Sequence, residues 1–139
     1  MKRPEYEFFS IYKKIEYFFN LEKINFKLIS PIPGKEINID HHAIIKNKSN
    51  LNIYLKRGNN LIISDLKNTK IKAEEQTNIF VFNSFSGVID GRSNISLQKE
   101  SKTNGNITCS TIAISKPLFG NKSYCEIDGK LTLTPTKSS

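Results

Sequence analysis

The feature that most constrains the fold is a period of eighteen residues. Isoleucine recurs at this step at Ile53, Ile71, Ile89 and Ile107, and the next step reaches Cys125. A constant period of this length is typical of stacked solenoid coils, whereas hairpin sheets need no fixed spacing. We therefore predict that these five residues form one column facing the interior.

Two further patterns share this period. Residues two apart in a strand point to the same face, and the positions two residues after the column are all small or apolar. These positions are Leu55, Ala73, Gly91, Cys109 and Ile127. A second apolar stripe lies between the columns, at 61–63, 79–81, 95–97, 112–114 and 131–133. The sequence thus predicts an all-β, single-domain β-solenoid of about five to six coils.

The domain organisation follows from the limits of the repeat. Residues 1–34 are predicted to form an N-terminal amphipathic segment and a linker, and residues 35–134 the solenoid. A short C-terminal tail occupies 135–139. Pro31, Pro33 and Gly34 indicate a turn into the first coil.

Glycine and aliphatic or small residues alternate with other residues in 86–91 and 104–109, and each stretch is followed by a pair of aliphatic residues, in 94–97 and 112–114. Residues 123–129 look like one more cycle. This pattern resembles the bactofilin family of bacterial cytoskeletal proteins over most of the chain. The resemblance implies a right-handed β-helix that polymerises end to end into filaments without a nucleotide or other cofactor. It also implies a role in cell shape or in localising other proteins, with cell-wall-related proteins as partners. Two upstream coils depart from the pattern, because Leu51 and Thr69 stand in its glycine column.

The two ends of a solenoid lack a neighbouring coil and expose apolar edge and unpaired backbone groups. Burial of these edges would drive self-association. The candidate interface residues are Ile37, Ile39, Ile44 and Ile45 at one end and Phe119, Leu131 and Leu133 at the other. The alternative class of function is a solenoid that does not polymerise and serves as a binding module, with the N-terminal helix as its cap.

Residues 4–21 carry a broad apolar stripe at helical spacing. Its members are Phe8, Phe9, Ile11, Tyr12, Ile15, Phe18 and Phe19. An amphipathic helix of this kind suits a membrane interface, and the family resemblance implies attachment to the inner membrane. The same stripe could instead fold back as a cap over the first coil, in which case that coil could not stack on another subunit.

Catalysis is not expected. Left-handed hexapeptide acyltransferases also stack coils of eighteen residues, but they repeat an aliphatic residue every six positions and use a histidine base. Here Ile53 is followed at that spacing by polar residues. His41 and His42 are neighbours that would point to opposite faces of a strand, which argues against a metal site with Asp40.

The net charge of +8, from 21 Lys and Arg against 13 Asp and Glu, would suit an anionic partner. The basic residues are scattered through the corners and no nucleic-acid module is recognisable, so no specific nucleic acid is expected. No apolar run approaches the roughly 20 residues of a transmembrane helix. We expect a cytoplasmic protein, with the inner face of the cytoplasmic membrane as the alternative site.

The two cysteines are expected to be reduced. Cys109 and Cys125 lie one predicted coil apart and are offset by two residues along the strand. Their Cα atoms would be roughly 8 Å apart, beyond disulfide reach. We therefore predict small core thiols.

Overall fold

The computed structural model describes residues 26–98, 100–114 and 126–134, and this part of the chain is all-β. Its strands are β1 (Lys27–Leu28), β2 (Glu36–Ile39), β3 (Ala43–Ser49), β4 (Asn52–Leu55), β5 (Asn60–Ala73), β6 (Asn78–Gly91), β7 (Asn94–Leu97), β8 (Lys102–Cys109), β9 (Thr111–Ile114), β10 (Glu126–Asp128) and β11 (Leu131–Leu133). Each pairing among them is parallel. The fold is a parallel β-solenoid of about five turns.

The strand pairings follow three tracks, which we call walls. The first wall runs through β1, β3, the start of β5, the start of β6, β7 and β9. The second contains the end of β3, the middle of β5 and β6, the start of β8, and β10. The third runs through β2, β4, the ends of β5, β6 and β8, and β11.

The third wall carries the isoleucine column. Its Cα register runs from Ile53 to Ile71, Ile89 and Ile107, and each of these side chains is at most 1% exposed. Ile37 extends the column toward the N-terminus beside Ile53. β-Branched side chains pack well against identical neighbours on a pleated surface, which favours such a stack.

The column ends differently from the eighteen-residue prediction. The partner of Ile107 is Leu131, twenty-four residues further on, and Cys125 lies outside the described residues. Ile127, which we predicted for the third wall, lies beside Thr103 on the second wall. The last coil therefore contains six more residues than the period allows.

The solenoid also begins earlier than the predicted linker suggests. β1 pairs with β3 through Lys27 and Leu28, inside the segment assigned to residues 1–34. The backbone N–H of Gly34 donates to the carbonyl of Asn50 at 3.0 Å, so the predicted turn is bonded to the next coil. The predicted N-terminal helix lies outside the described residues.

The interior is one continuous apolar core. Alternate residues of the first wall, such as Leu61 and Ile63 on β5, join the isoleucine column in this core. The residues between them point to the opposite face, and there Ile44, Ile62, Phe80 and Phe82 form a second, separate cluster. Sequence reasoning expected one apolar interior and did not anticipate this outer cluster.

The corner between the second and third walls changes its chemistry along the solenoid. In the earlier coils Asn50 and Asn68 turn the chain, with φ of 59° and 50°. In the later coils Gly87, Gly105 and Gly129 do so, with φ of 139°, 136° and 140°. Asparagine tolerates the left-handed conformation, which explains why the earlier coils need no glycine one position later.

Candidate assembly surfaces and the polar column

The C-terminal end of the solenoid is an open apolar edge. Ile114, Leu131 and Leu133 are 49%, 39% and 51% exposed, although each continues a column that is buried in the earlier coils. Leu97, the register partner of Ile114, is 0% exposed. These side chains are exposed because no further described coil follows them. They are aliphatic, like the buried core residues of the same columns.

Among the described strands, the backbone at this end also has pairing partners on one side only. Within the described ranges, β9 pairs with β7, and both β10 and β11 pair with β8. Their outer edges carry the N–H and C=O groups that a further parallel strand would use. A second coil placed on this end would therefore bury apolar side chains and extend the sheets together.

The N-terminal end exposes fewer of its predicted apolar side chains than the C-terminal end does. Of the candidates predicted there, Ile39 and Ile45 are 0% exposed in the core, and Ile44 is 2% exposed in the outer cluster. Ile37 retains partial exposure. The side chains of Ile39, Ile44 and Ile45 thus cannot form an open end surface, which corrects our assignment of those three.

On the first wall the described residues show one cause of this burial, whereas β2 on the third wall pairs only with β4 among the described strands. β1 adds a partial coil, with hydrogen bonds from Lys27 N–H to His42 O and from Ile29 N–H to Ile44 O, both 3.0 Å. Ile29 packs against the main core. Among the residues that the structure describes at this end, Ile32 is the most exposed large apolar side chain, at 67%.

Several predicted site residues lie outside the described part of the chain. They are the C-terminal interface candidate Phe119, the core candidate Cys125, and the membrane or cap candidates Phe8, Phe9, Ile11, Tyr12, Ile15, Phe18 and Phe19.

A column of polar side chains runs along the start of the first wall, and sequence reasoning missed it. Asn78 Nδ2 donates to Asn60 Oδ1 at 2.7 Å, and Asn94 Nδ2 donates to Asn78 Oδ1 at 3.3 Å. The column ends at Thr111, whose hydroxyl donates to Asn94 Oδ1 at 2.7 Å. Asn60, Asn78 and Asn94 recur at steps of eighteen and sixteen residues, and this spacing was the available signal.

His42 begins this polar column. Its Nδ1 accepts from the backbone N–H of Asn60 at 3.0 Å and from Asn60 Nδ2 at 3.2 Å. Phe26 lies beside the imidazole, with ring centroids 5.7 Å apart. Burial lowers the pKa of His42 below 6.5, and the nearby His41 lowers it further. The neutral ring is the form that can accept both hydrogen bonds.

We expect the stability of the protein to fall as the pH is lowered through 6.5. The unfolded chain binds the proton of His42 more readily than the folded chain, so protonation favours unfolding. The midpoint of urea unfolding should therefore be lower at pH 5.5 than at pH 7.5. The full contribution of the neutral ring is present above pH 6.5 and is lost below it.

The variant His42→Asn provides the decisive comparison, because asparagine occupies the equivalent position in the next three coils. This variant should keep the polar column, and its urea unfolding midpoint should change less between pH 7.5 and pH 5.5 than that of the unmodified protein. His41→Asn serves as the control and should retain most of the dependence, because burial is the larger cause of the lowered pKa of His42. An unchanged slope in His42→Asn would show that another group is responsible.

At the corner after the third wall, side chains of one coil bind acidic side chains of the next coil. Glu74 accepts from the Tyr54 hydroxyl at 2.6 Å and from the Arg57 backbone N–H at 2.7 Å, while the Arg57 guanidinium pairs with Glu75. The Tyr54 hydrogen bond, followed by the Arg57 bond, lowers the pKa of Glu74. The same Tyr54–Glu74 hydrogen bond raises the pKa of the Tyr54 hydroxyl. These contacts join adjacent coils, and they partly neutralise the basic corner.

The described residues contain no group of three His, Cys, Asp or Glu side chains that could hold a metal ion. Cys109 is a free thiol in the core, and burial raises its pKa, which disfavours the reactive thiolate. The part of the chain described by the structure contains no helix with the length and apolarity needed to cross a bilayer.

In comparisons with known proteins, no family model, no curated protein and no solved structure matched this chain.

Proposed function

We propose that the protein is a scaffold that associates with copies of itself through the ends of its solenoid. The observation that carries this proposal is the open apolar edge formed by Ile114, Leu131 and Leu133. Each fully buried aliphatic side chain contributes roughly 1.5–3 kcal/mol. Burial of the remaining exposed fraction of these three, together with new strand pairing, supports association at this end.

The mode of assembly is end to end and needs no nucleotide. The resemblance to bactofilins supports this mode and a right-handed coil. The role that follows is a bacterial cytoskeletal scaffold, in the cytoplasm or at the inner face of the membrane, which supports cell shape or positions other proteins. Its partners are further copies, with the inner membrane surface and cell-wall-related proteins as additional ones.

The solenoid flanks discourage lateral association. Outward-facing Lys70 and Lys72 lie on the third wall, where exposed lysines resist pairing between sheets of different molecules. The net charge of +8 also makes copies repel each other. Salt screens this repulsion, so assembly should strengthen with ionic strength up to a few hundred millimolar.

A concentration series tests the proposal. Light scattering coupled to size exclusion should show a mass that rises with protein concentration, and negative-stain micrographs should show rods longer than one solenoid. A constant monomer mass across the series at physiological salt would contradict it.

The second candidate is a binding module that does not polymerise. The N-terminal end favours it, because Ile39 and Ile45 are fully buried within the monomer. A molecule with one open end would stop at dimers joined through the C-terminal coils. The same series distinguishes the two functions, since a mass that levels off at the dimer supports the module.

A further inference from the structure

The outer apolar cluster is unusual for its place on the solenoid. Ile44, Ile62 and Phe80 occupy one register column on the outside of the first wall. Outward side chains on such a wall normally contact water, yet these three are only 2%, 1% and 2% exposed. Their burial requires a layer on the outer face of the sheet.

The described residues supply the beginning of this layer. Phe26 and Leu28 pack against the cluster, and Leu28 lies beside Ile44 in the register. Phe80 is three coils away from Leu28, which is roughly 14 Å at about 4.8 Å per coil. Leu28 therefore cannot reach Phe80, and other residues must cover the rest of the strip.

The apolar column stops where such a cover would end. The next two positions in the same register after Phe80 are Ser96 and Ala113, and Ala113 is exposed. The apolar strip from Leu28 to Phe80 thus matches the length of a helix of about ten residues or more. Its width of one column, with Phe82 beside it, suits a single helix.

We propose that residues 4–21 form an amphipathic helix that packs lengthwise on this outer face of the first wall. The segment ends four residues short of Phe26, which already contacts the cluster. It carries an apolar stripe at helical spacing that includes Phe8, Tyr12 and Phe19. Eighteen helical residues span roughly 27 Å, enough to cover the strip.

This placement differs from both a cap on the first coil and a membrane anchor. A helix on the flank covers neither end of the solenoid, so it is compatible with end-to-end assembly without depending on it. The same apolar stripe cannot contact the sheet and a lipid surface at once. Membrane contact would therefore require the helix to leave the wall and expose Ile62 and Phe80.

Limited proteolysis of the full chain tests the proposal. Trypsin should cleave after Lys13 and Lys14 at least about tenfold more slowly in the protein than in a synthetic peptide of residues 1–25, because docked segments resist cleavage. Phe80→Ser, which introduces the residue that Ser96 provides in the next coil, should restore most of the peptide's rate. Ile62→Ser serves as a second variant.

Val88→Ser is the matched control, since Val88 is an exposed outward residue on the third wall. It should leave the protection unchanged. Cleavage at the peptide's rate in the unmodified protein would overturn the proposal. So would equal loss of protection in Val88→Ser and Phe80→Ser.

A photo-cross-linker in place of Phe82 identifies the covering segment directly. The expected product is a monomer in which position 82 is joined to a peptide within residues 4–21. A cross-linked dimer would indicate that a second copy covers the wall. A link to residues 115–125, or the absence of any adduct with the N-terminal segment, would equally overturn the assignment.

Discussion

Replacing Gly105 with alanine should destabilise the protein by about 4 kcal/mol, a large part of the stability of a domain of this size. A Cβ atom at this position would lie 1.8 Å from the carbonyl oxygen of Gly87 in the coil below. The φ of 136° is also rarely adopted by residues with a side chain. Because the obstacle is backbone held by sheet pairing on both sides, it cannot move aside cheaply. Urea unfolding followed by circular dichroism measures the loss.

Gly58→Ala separates the two causes. Gly58 has a φ of 85°, but nothing lies within 4 Å of the position that its Cβ would take. This variant should lose only about 1–2 kcal/mol, from the left-handed backbone alone. If both variants lost the same amount, the close approach between stacked corners would not limit the fold.

The glycine corners explain why the repeat is regular in some coils and indistinct in others. Gly129 stacks on Gly105, and Gly105 on Gly87, with potential Cβ contacts of 2.0 Å and 1.8 Å. Gly87 in turn lies beside Thr69, which needs no positive φ because Asn68 has already turned the chain. The positive φ that the corner needs is thus provided either by asparagine or by a glycine one position later. A search for the glycine pattern detects only the second kind of corner.

The last coil shows the limit of a fixed period. The eighteen-residue step selects Cys125, whereas the register joins Leu131 to Ile107. The sequence contains the correct signal, because Gly129 and Leu131 repeat the spacing of Gly105 and Ile107. Wall segments must match in length to pair, but a corner that lies outside the sheets can accept extra residues. Strand motifs are therefore better guides to register than the total period.

The positions of the apolar strands were easier to predict from the sequence than the direction in which each of their side chains points. The predicted apolar stripe at 61–63 is confirmed as a strand of the first wall, with Leu61 and Ile63 in the interior. The intervening Ile62 is equally apolar, and a continuous run cannot reveal that a second layer covers the outer face. The same ambiguity affected Ile44, which we assigned to an end surface and which lies in the outer cluster.

Leu131→Arg should abolish self-association while leaving the solenoid folded. In the monomer this side chain is partly exposed, so a guanidinium can reach water. When a second coil covers the end, the charge would be buried without a partner, at a cost of several kcal/mol. We expect the dissociation constant to rise at least 100-fold, which corresponds to about 2.7 kcal/mol. Light scattering measures the association, and thermal unfolding verifies the fold.

Thr132→Arg is the matched control, because it adds the same charge one residue away on the exposed opposite face of β11. It should weaken association by no more than a few-fold, through added repulsion that salt screens. Equal loss in both variants would assign the effect to net charge. Undiminished assembly of Leu131→Arg would exclude the C-terminal end as the interface, since no arrangement that buries Leu131 against a second coil can accommodate an unpaired guanidinium.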